Sequence, residues 1–251
     1  MEAQSLRTRL SSGDVVIGSF QSIDSPMVSE IMARAGMDFV LVDQEHGPLS
    51  ARETMTCCMA AQQAGAASVV RVRENAESEI QRALDVGADA VEIPQVATLE
   101  DARAAVAAAR FDPIGERGLN PYVRAGGYDG GPEYTNRQNE EVVVIVHIEG
   151  EKGVVNLDDI LDTAGIDVLF LGPYDLSQSI GIPGQVRDPR VEELMEEVCE
   201  RAAKAGKVVG TYADDPEMAY RWIDVGAQYV AISVDAPVLL GAYTELVDAF
   251  E

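Results

Sequence analysis

The feature that most constrains the fold is an alternation that runs along the whole chain. Short apolar, β-branched runs are separated by helical stretches rich in Ala and Glu, and the predicted strands are residues 15–20, 38–43, 68–72, 90–96, 142–149, 168–173, 208–213 and 229–235. Strands that alternate with helices pair in parallel through βαβ units. Eight such units in 251 residues fit one closed barrel. We therefore predict a single (β/α)8 TIM barrel over residues 1–251, an α/β fold.

An open, doubly wound parallel sheet is the alternative fold. That fold most often carries a nucleotide-binding loop, and neither G-x-G-x-x-G after the first predicted strand nor G-x-x-x-x-G-K-[ST] anywhere occurs in the sequence. The missing loops favour the closed barrel.

Charge narrows the range of partners. The formal net charge is −24, which repels nucleic acid and anionic membranes. No apolar run approaches the ~20 residues of a membrane span, and the first residues lack the apolar region of a secretory signal. Cys57, Cys58 and Cys199 have no paired spacing and are predicted to be small buried hydrophobes in a reducing compartment. We expect a soluble, cytoplasmic protein whose partner is a small molecule.

Polar residues gather where the predicted strands end, which is where a parallel barrel places its chemistry. His147 and Glu149 are two apart in a run of Val and Ile, so they share one face of a strand. Asp175 follows the next strand. Two carboxylates from neighbouring strands suit a hard divalent cation such as Mg2+ or Mn2+. The alternative is that Glu149 pairs with Arg71 and binds no metal.

A second group follows the second and third strands. Asp43 lies three residues before His46, a spacing that can orient an imidazole as a general base. Arg71 can place a positive charge beside a developing oxyanion. The alternatives are that His46 is an ordinary exposed loop residue and that Arg71 forms an ion pair with Asp43 or Glu149. Both roles of Arg71 can coexist.

Residues 111–140 interrupt the alternation and are rich in Gly, Pro and Asn. A loop of this length in a compact domain is usually functional or mobile. It carries Arg117, Arg124 and Tyr122, which we interpret as contacts for the far end of a substrate. A solvated insertion or a contact between subunits is an equally good interpretation.

Two absences limit the chemistry. The predicted strands contain no lysine, so a Schiff base has no nucleophile inside the barrel. The ends of the last two strands read ADDPE and SVDAP and lack the Gly-rich turn that binds phosphate in many barrels. The substrate is therefore predicted to be a small anion without a phosphate group.

Several separated segments, in order, resemble one known family. VLVDQEHGPLS, VVRV, LDVGADAVEIPQVATLEDA, GERG, VHIEGEKGVVNLDDI and DVLFLGPYDLSQSIG are similar to segments of the HpcH/HpaI class II pyruvate aldolases. That family belongs to the phosphoenolpyruvate/pyruvate-binding TIM barrels. The resemblance extends from about Gly18 to Asp235, nearly the whole chain. It implies reversible cleavage of a 4-hydroxy-2-oxo acid to pyruvate and an aldehyde through a metal-bound enolate.

The resemblance also implies roles for residues. Glu149 and Asp175 match the ligands of a divalent metal, which is Mg2+, Mn2+ or Co2+ in the family. Arg71 matches the arginine at the pyruvate keto oxygen, and His46 with Asp43 matches an acid/base dyad. Gly172, Pro173 and Tyr174 match the turn that binds the pyruvate carboxylate. The family further implies a homohexamer, with terminal helices packed against a neighbouring subunit.

Departures from the family keep other functions open. His147 stands where these aldolases usually have Gln, so it is a candidate substrate contact, a third metal ligand or an extra acid/base group. Glu92 occupies a strand position that is normally apolar. An oxaloacetate decarboxylase, a citrate-synthase-like condensation with acetyl-CoA, and a non-catalytic metabolite-binding barrel are the alternative functions.

Overall fold

A computed structural model describes residues 4–148 and 150–250 and contains one closed barrel of eight parallel strands in the order β1 to β8. The strands are β1 (Val16–Gln21), β2 (Phe39–Asp43), β3 (Ala67–Arg71), β4 (Ala90–Val96), β5 (Val143–Ile148), β6 (Val168–Leu171), β7 (Val208–Ala213) and β8 (Tyr229–Val234). The prediction of a (β/α)8 barrel is confirmed. Each strand lies within a few residues of its predicted run because buried parallel strands are nearly continuous apolar segments.

Helices follow the strands and surround the barrel. They are α1 (Leu6–Ser11), α2 (Pro26–Arg34), α3 (Ala51–Gln63), α4 (Glu77–Asp85), α5 (Leu99–Ala109), α6 (Tyr134–Glu141), α7 (Gly150–Val155), α8 (Leu157–Leu161), α9 (Pro173–Ser179), α10 (Pro189–Lys204), α11 (Pro216–Asp224) and α12 (Asp235–Asp248). Arg124–Gly126 forms a short 3-10 turn. None of the helices in the described part of the chain combines the length and apolar composition that a membrane crossing requires.

Local sequence signals explain where several helices begin. Asp215 accepts a hydrogen bond from the Met218 backbone N–H, and Pro216 occupies the first turn of α11. Ser50 and Glu53 form a reciprocal capping box at α3. Such caps satisfy backbone N–H groups that a first helical turn leaves without partners. They also fix where each loop leaves the mouth of the barrel.

Two apolar layers hold the fold together. One lies between the strands and the surrounding helices and includes the three cysteines, which are buried free thiols as predicted. The other fills the barrel interior, where Phe39, Ile145, Phe170 and Tyr229 are among the buried side chains. Leu6 and Leu10 on α1 belong to this inner layer and close the N-terminal end of the barrel. The opposite end remains open.

Two segments differ from the predictions. Residues 172–173 are not the end of a strand, because Pro173 starts α9 and Gly172 precedes it as the helix cap. Residues 111–140 are partly ordered into the 3-10 turn and α6. This segment connects α5 to β5, and such αβ connections lie at the N-terminal end of a barrel, opposite its mouth.

Candidate active site

Asp43 and Arg71 are neighbours at the mouth of the barrel. They are register partners on β2 and β3, so their side chains leave the sheet side by side. Arg71 Nε donates to Asp43 Oδ1 at 2.8 Å and Arg71 Nη2 donates to Asp43 Oδ2 at 2.7 Å. Glu45 Oε2 lies 3.0 Å from Arg71 Nη1. The predicted ion pair with Asp43 is thus present, and it fixes the plane of the guanidinium.

Electrostatics keep Arg71 charged although it is largely buried. Burial alone lowers the pKa of the guanidinium. The hydrogen bond to Asp43, with the charges of Asp43, Glu92 and Glu45, outweighs burial and raises the pKa of Arg71 above its ordinary value. The face of the guanidinium also packs on the ring of Phe20, with Cζ 4.7 Å from the ring centroid.

Arg71 faces a pocket of ≈ 570 Å³ at the C-terminal ends of the strands. The pocket is lined by Phe20, Ser22, Asp43, Glu45, His46, Arg71, Gln95, His147, Phe170, Gly172, Pro173, Tyr174, Asp175, Tyr212 and Val234. Its size fits a small metabolite. All of the predicted catalytic residues, and every predicted substrate residue outside the 111–140 segment, line this one cavity.

The contact between Asp43 and His46 differs from the prediction. Asp43 Oδ1 accepts hydrogen bonds from the backbone N–H groups of Glu45 (3.0 Å) and His46 (3.4 Å). The His46 imidazole is 76% exposed, and its Nε2 lies 3.9 Å from Glu45 Oε2. Asp43 therefore shapes the turn that carries His46, and the carboxylate beside the ring belongs to Glu45.

Asp175 enters the pocket from the first turn of α9. A Cβ atom at Gly172 would collide with Asp175 Oδ2, so a side chain at this position would displace the carboxylate. Tyr174 Oη donates to Asp214 Oδ2 at 2.9 Å and thereby links this turn to the loop after β7. The sequence GPYD is thus needed for the position of one carboxylate.

His147 forms part of the pocket wall and is held from inside the barrel. Its Nε2 is in short contact with Glu92 Oε1, and its ring stacks on Phe170 with centroids 4.3 Å apart. Tyr229 Oη donates to the other Glu92 oxygen at 3.2 Å. Glu92 is fully buried, as the sequence position suggested, and its carboxylate has two polar partners.

The pocket contains carboxylates, the ligand type that a hard divalent cation prefers. Asp43, Glu45 and Asp175 all line it, and Asp43 and Glu45 are paired with Arg71. An anionic substrate needs further positive charge beside these groups, and carboxylate oxygens are the preferred ligands of Mg2+ and Mn2+. Glu149, the other predicted ligand, lies outside the described residues, and among the described residues no cluster of three metal-binding side chains is present.

Arg117, Arg124 and Tyr122 are not brought to the pocket. Buried Arg117 donates to Asp85 at 2.7 Å, and Arg124 donates to Gln62 Oε1 at 2.6 Å and to the carbonyls of helix α4's C-terminal end. Tyr122 is 74% exposed. Because the segment is an αβ connection, its side chains bind the N-terminal end of the barrel and do not line its mouth.

Sequence reasoning did not assign roles to several residues of the pocket. Glu45 follows β2 and Gln95 is the penultimate residue of β4, so both could be found at strand ends in the sequence. Gln95 Nε2 lies 3.4 Å from Glu45 Oε1. Gln95 has a left-handed backbone with φ of 59°, which for a residue other than glycine is uncommon and often accompanies function. Tyr212 stands at the end of a predicted strand but received no role, and Phe20 gave no chemical signal, since aromatic residues in strands are usually core.

Comparison with known proteins places this geometry in context. The sequence profile of the HpcH/HpaI aldolase/citrate lyase family matches residues 17–242. A 2-keto-3-deoxy-L-rhamnonate aldolase of Salmonella gallinarum is 36% identical over 96% of this chain and 89% of its own. The crystal structure of a family member from Burkholderia cenocepacia superposes with a TM-score of 0.90 at 33% identity, covering 98% of both chains. The citrate synthase SbnG superposes with a TM-score of 0.87 at 31% identity, covering 98% of this chain and 96% of its own.

Proposed function

Because this chain belongs to the HpcH/HpaI aldolase/citrate lyase family, we propose that it is a class II aldolase acting on a 2-keto-3-deoxy sugar acid. Such a substrate is a 4-hydroxy-2-oxo acid, and breaking its C3–C4 bond releases pyruvate and an aldehyde. The observation that carries the proposal is the fixed Arg71 guanidinium at the mouth of the barrel, paired with Asp43 and facing a pocket that also holds His46 and Asp175.

Each of these residues has a role in the proposed reaction. Arg71 donates to the C2 oxygen and stabilises the negative charge that appears there when the C3–C4 bond breaks. His46 accepts the proton of the C4 hydroxyl group, which lets the aldehyde carbonyl form as the C3–C4 bond breaks. A proton then returns to C3 of the enolate and completes pyruvate. Backbone N–H groups of the Gly172–Tyr174 turn receive the substrate carboxylate, with Pro173 unable to donate. His147 contacts the substrate from the pocket wall.

The proposed cofactor is a divalent cation held by Asp175 and Glu149. When bound, such an ion would polarise the C2 carbonyl as a Lewis acid. Among the described residues that line the pocket, carboxylates outnumber guanidinium and ammonium groups, which supports this part of the proposal. Asp43 keeps Arg71 and the His46 turn in place through its hydrogen bonds to the guanidinium and to the backbone of the turn.

The first test is exchange of the pyruvate methyl protons in D2O. Proton NMR measures the exchange. We expect the wild type to exchange these protons with Mg2+ present and not after EDTA treatment. The variant D175N should lose the exchange that Mg2+ supports and should keep its thermal unfolding transition. Glu30, an exposed helical residue with a surface ion pair, supplies the control variant E30Q. Absence of exchange in the wild type with Mg2+, Mn2+ and Co2+ would overturn the proposed pyruvate half-reaction.

A second assay separates the aldolase from a condensing enzyme. Cleavage of 2-keto-3-deoxy acids is followed by the pyruvate released, and citrate formation is followed with oxaloacetate and acetyl-CoA. We expect pyruvate release only. Citrate formation without cleavage would indicate a citrate synthase, as the relative SbnG is named, and would overturn the proposed aldolase activity.

We also propose that the chain forms a homo-oligomer, a hexamer as the family resemblance implies. The support is helix α12, which exposes large apolar side chains to solvent: Val238, Leu240, Tyr243, Leu246 and Val247. An exposed apolar surface of this kind marks an interface, and a second copy of the chain is the proposed occupant. Light scattering should give a mass several times 26.9 kDa for the wild type. The variant L240E should reduce that mass; an unchanged mass would assign another face to the contact.

The proposed location is the cytoplasm. Cys57, Cys58 and Cys199 are buried thiols without disulfide partners, as expected in a reducing compartment. Fractionation of the source cells tests this directly, and recovery in a secreted fraction would contradict it.

A further inference from the structure

A buried polar column inside the barrel ends at the proposed substrate pocket. It consists of Tyr229, Glu92 and His147, which are all buried. A carboxylate with no exposed surface is costly unless its oxygens are bonded. One Glu92 oxygen accepts from Tyr229 Oη at 3.2 Å, and the other is in short contact with His147 Nε2. The carboxylate therefore joins a residue of the barrel core to a residue of the pocket.

Strand register brings the three residues together. Asp43, Arg71 and Glu92 are successive register partners on β2, β3 and β4. A second row of register partners runs from His147 on β5 through Phe170 and Gly210 to Tyr229 on β8. The Glu92 carboxylate extends into the barrel and contacts both ends of this second row, His147 and Tyr229.

Gly210 leaves room for the Tyr229 ring in this arrangement. A Cβ atom at Gly210 would lie 2.8 Å from Tyr229 Cδ1 and 3.1 Å from Phe170 Cδ2. The missing side chain lets the Tyr229 ring extend across the barrel toward Glu92. On its other side the ring stacks on Phe39, with centroids 4.1 Å apart and planes 12° apart.

The two ends of the column are held rigidly. His147 stacks on Phe170 with planes 10° apart, and Tyr229 stacks on Phe39. Burial and the adjacent Glu92 charge raise the pKa of Tyr229 well above its ordinary value, so its hydroxyl remains a donor. In the proposed arrangement His147 Nε2–H donates to one Glu92 oxygen while Tyr229 Oη donates to the other. Glu92 and the stack on Phe170 thus hold the imidazole in one ring orientation.

We infer that Glu92 is a positioning residue for the reaction and acts through His147, with Tyr229 holding the second carboxylate oxygen. The inference rests on the proposed function, because it assigns His147 to the substrate. Glu92 itself is separated from the pocket by the imidazole. Positioning residues of this kind change activity by about 10- to 100-fold when they are replaced.

A double-mutant cycle tests the inference, using E92Q, H147Q and the double variant. We expect E92Q to lower kcat/KM for the 2-keto-3-deoxy acid about 10-fold or more, mainly through kcat. In the H147Q background the same change should alter kcat/KM less than about twofold, because two residues that act as one unit are not additive. Full additivity, or a normal kcat/KM for E92Q, would overturn the inference.

Histidine NMR supplies a readout that needs no turnover. The chain has two histidines, so the variant H46Q leaves a single imidazole to observe after labelling with 15N-histidine. In H46Q we expect a hydrogen-bonded Nε2–H signal from His147, and this signal should be absent in H46Q/E92Q. Adding pyruvate with Mg2+ should shift the ring signals of His147 in H46Q and not in H46Q/E92Q. An unchanged Nε2–H signal in H46Q/E92Q would overturn the inference.

Y229F serves as the matched second variant. It removes one hydroxyl and keeps the ring stacked on Phe39, so the fold should survive if E92Q fails to fold. We expect a smaller loss of kcat/KM than for E92Q, and the loss should vanish in the H147Q background. The two proposals fail differently: a wild type without methyl-proton exchange overturns the proposed function, whereas an active wild type with an additive cycle overturns the role of Glu92 alone.

Discussion

Each end of this barrel contains an arginine–aspartate ion pair, but the groups that surround the two pairs differ. At the N-terminal end, Arg7 and Arg110 both donate to Asp167 Oδ2 at 2.6 Å. Arg110 also donates to backbone carbonyls, among them Val142 at 2.8 Å and Gly165 at 3.1 Å. Cationic donors exceed carboxylates there, and the backbone accepts the remaining N–H groups. The pair therefore joins α1, α5 and the start of β6.

At the mouth the balance is reversed. Among the described residues that line the pocket, Arg71 is the one arginine, and Asp43, Glu45 and Asp175 are carboxylates. Glu45 Oε2 is buried 3.0 Å from Arg71 Nη1 and, apart from this ion pair, has no hydrogen bond within the described part of the chain. Surplus acceptors in an open cavity can bind a cation or a substrate donor, whereas surplus donors aimed at backbone carbonyls cannot bind either. An arginine–aspartate pair therefore indicates a site only when its surroundings leave charge to be neutralised.

The largest expected effect is at the N-terminal end, with R110M. This variant leaves Asp167 paired with Arg7 and removes the Arg110 donors from the Asn139 and Gly165 carbonyls. Removing one member of a buried pair typically costs about 3–5 kcal/mol. We expect a loss of that size in the free energy of unfolding, measured with urea, and little change in kcat/KM at a temperature where the variant is folded. The control R34M breaks an exposed helical pair and should cost about 0.5 kcal/mol or less. Equal losses for both variants would contradict the structural role.

The corresponding change at the mouth is R71K. Lysine keeps a positive charge beside Asp43 and Glu45 but cannot reproduce the bidentate contact. We expect kcat/KM to fall about 10²- to 10³-fold, because one preorganised donor to the developing oxyanion is misplaced. Thermal unfolding should change little. The control R73K alters a half-exposed neighbour that bonds the Leu49 carbonyl. Near-normal activity in R71K would remove Arg71 from the proposed mechanism.

Alkaline pH should lower the stability of the apolar layer between strands and helices, where Cys58 is buried, before it affects the mouth. Burial, with the charges of Asp89 and Cys57, raises the pKa of the Cys58 thiol to about 12 from 9.0. Between these values the unfolded chain loses a proton that the folded chain keeps, so stability falls as pH rises above about 9. Each pH unit in this window should cost about 1.4 kcal/mol for this thiol.

The variant C58A tests this sign. Its free energy of unfolding should be lower than that of the wild type at neutral pH, because a small cavity is created. Its decline above pH 9 should be shallower, since the titrating thiol is gone. Urea unfolding at several pH values measures both slopes. Parallel curves for the two proteins would show that Cys58 does not titrate in this range.

Much of the fold could be predicted from the sequence because parallel barrel strands are buried on both sides. Val143–Ile148 and Val168–Leu171 are unbroken apolar runs apart from His147, and such runs are visible without a structure. The position of the pocket followed from the ends of the strands. The exact contacts did not follow, because the pairing of Glu92 with His147 and Tyr229 depends on which side chains of distant strands meet inside the closed barrel.

The segment 111–140 shows a different limit. Its length and composition indicated a functional loop, whereas its place between a helix and a strand indicated a position at the N-terminal end of the barrel. The second indication was correct, because the type of connection decides which end of a barrel a loop occupies. Arg117 and Arg124 are therefore structural residues that bind Asp85 and the end of α4.

The smallest expected effects come from two tyrosines on opposite ends of the barrel. Tyr122 is exposed in the 111–140 segment, and Tyr174 donates to Asp214 at the mouth. We expect Y122F to leave KM unchanged and to alter the free energy of unfolding by no more than about 0.5 kcal/mol, as for most surface substitutions. Y174F should raise KM by up to about fivefold, because the loss of a hydrogen bond of about 1 kcal/mol loosens the turn beside Asp175. Steady-state kinetics on the two variants measures the contrast. A raised KM for Y122F with a normal KM for Y174F would indicate that the 111–140 segment contacts the substrate, and it would contradict the placement of the substrate site at the mouth.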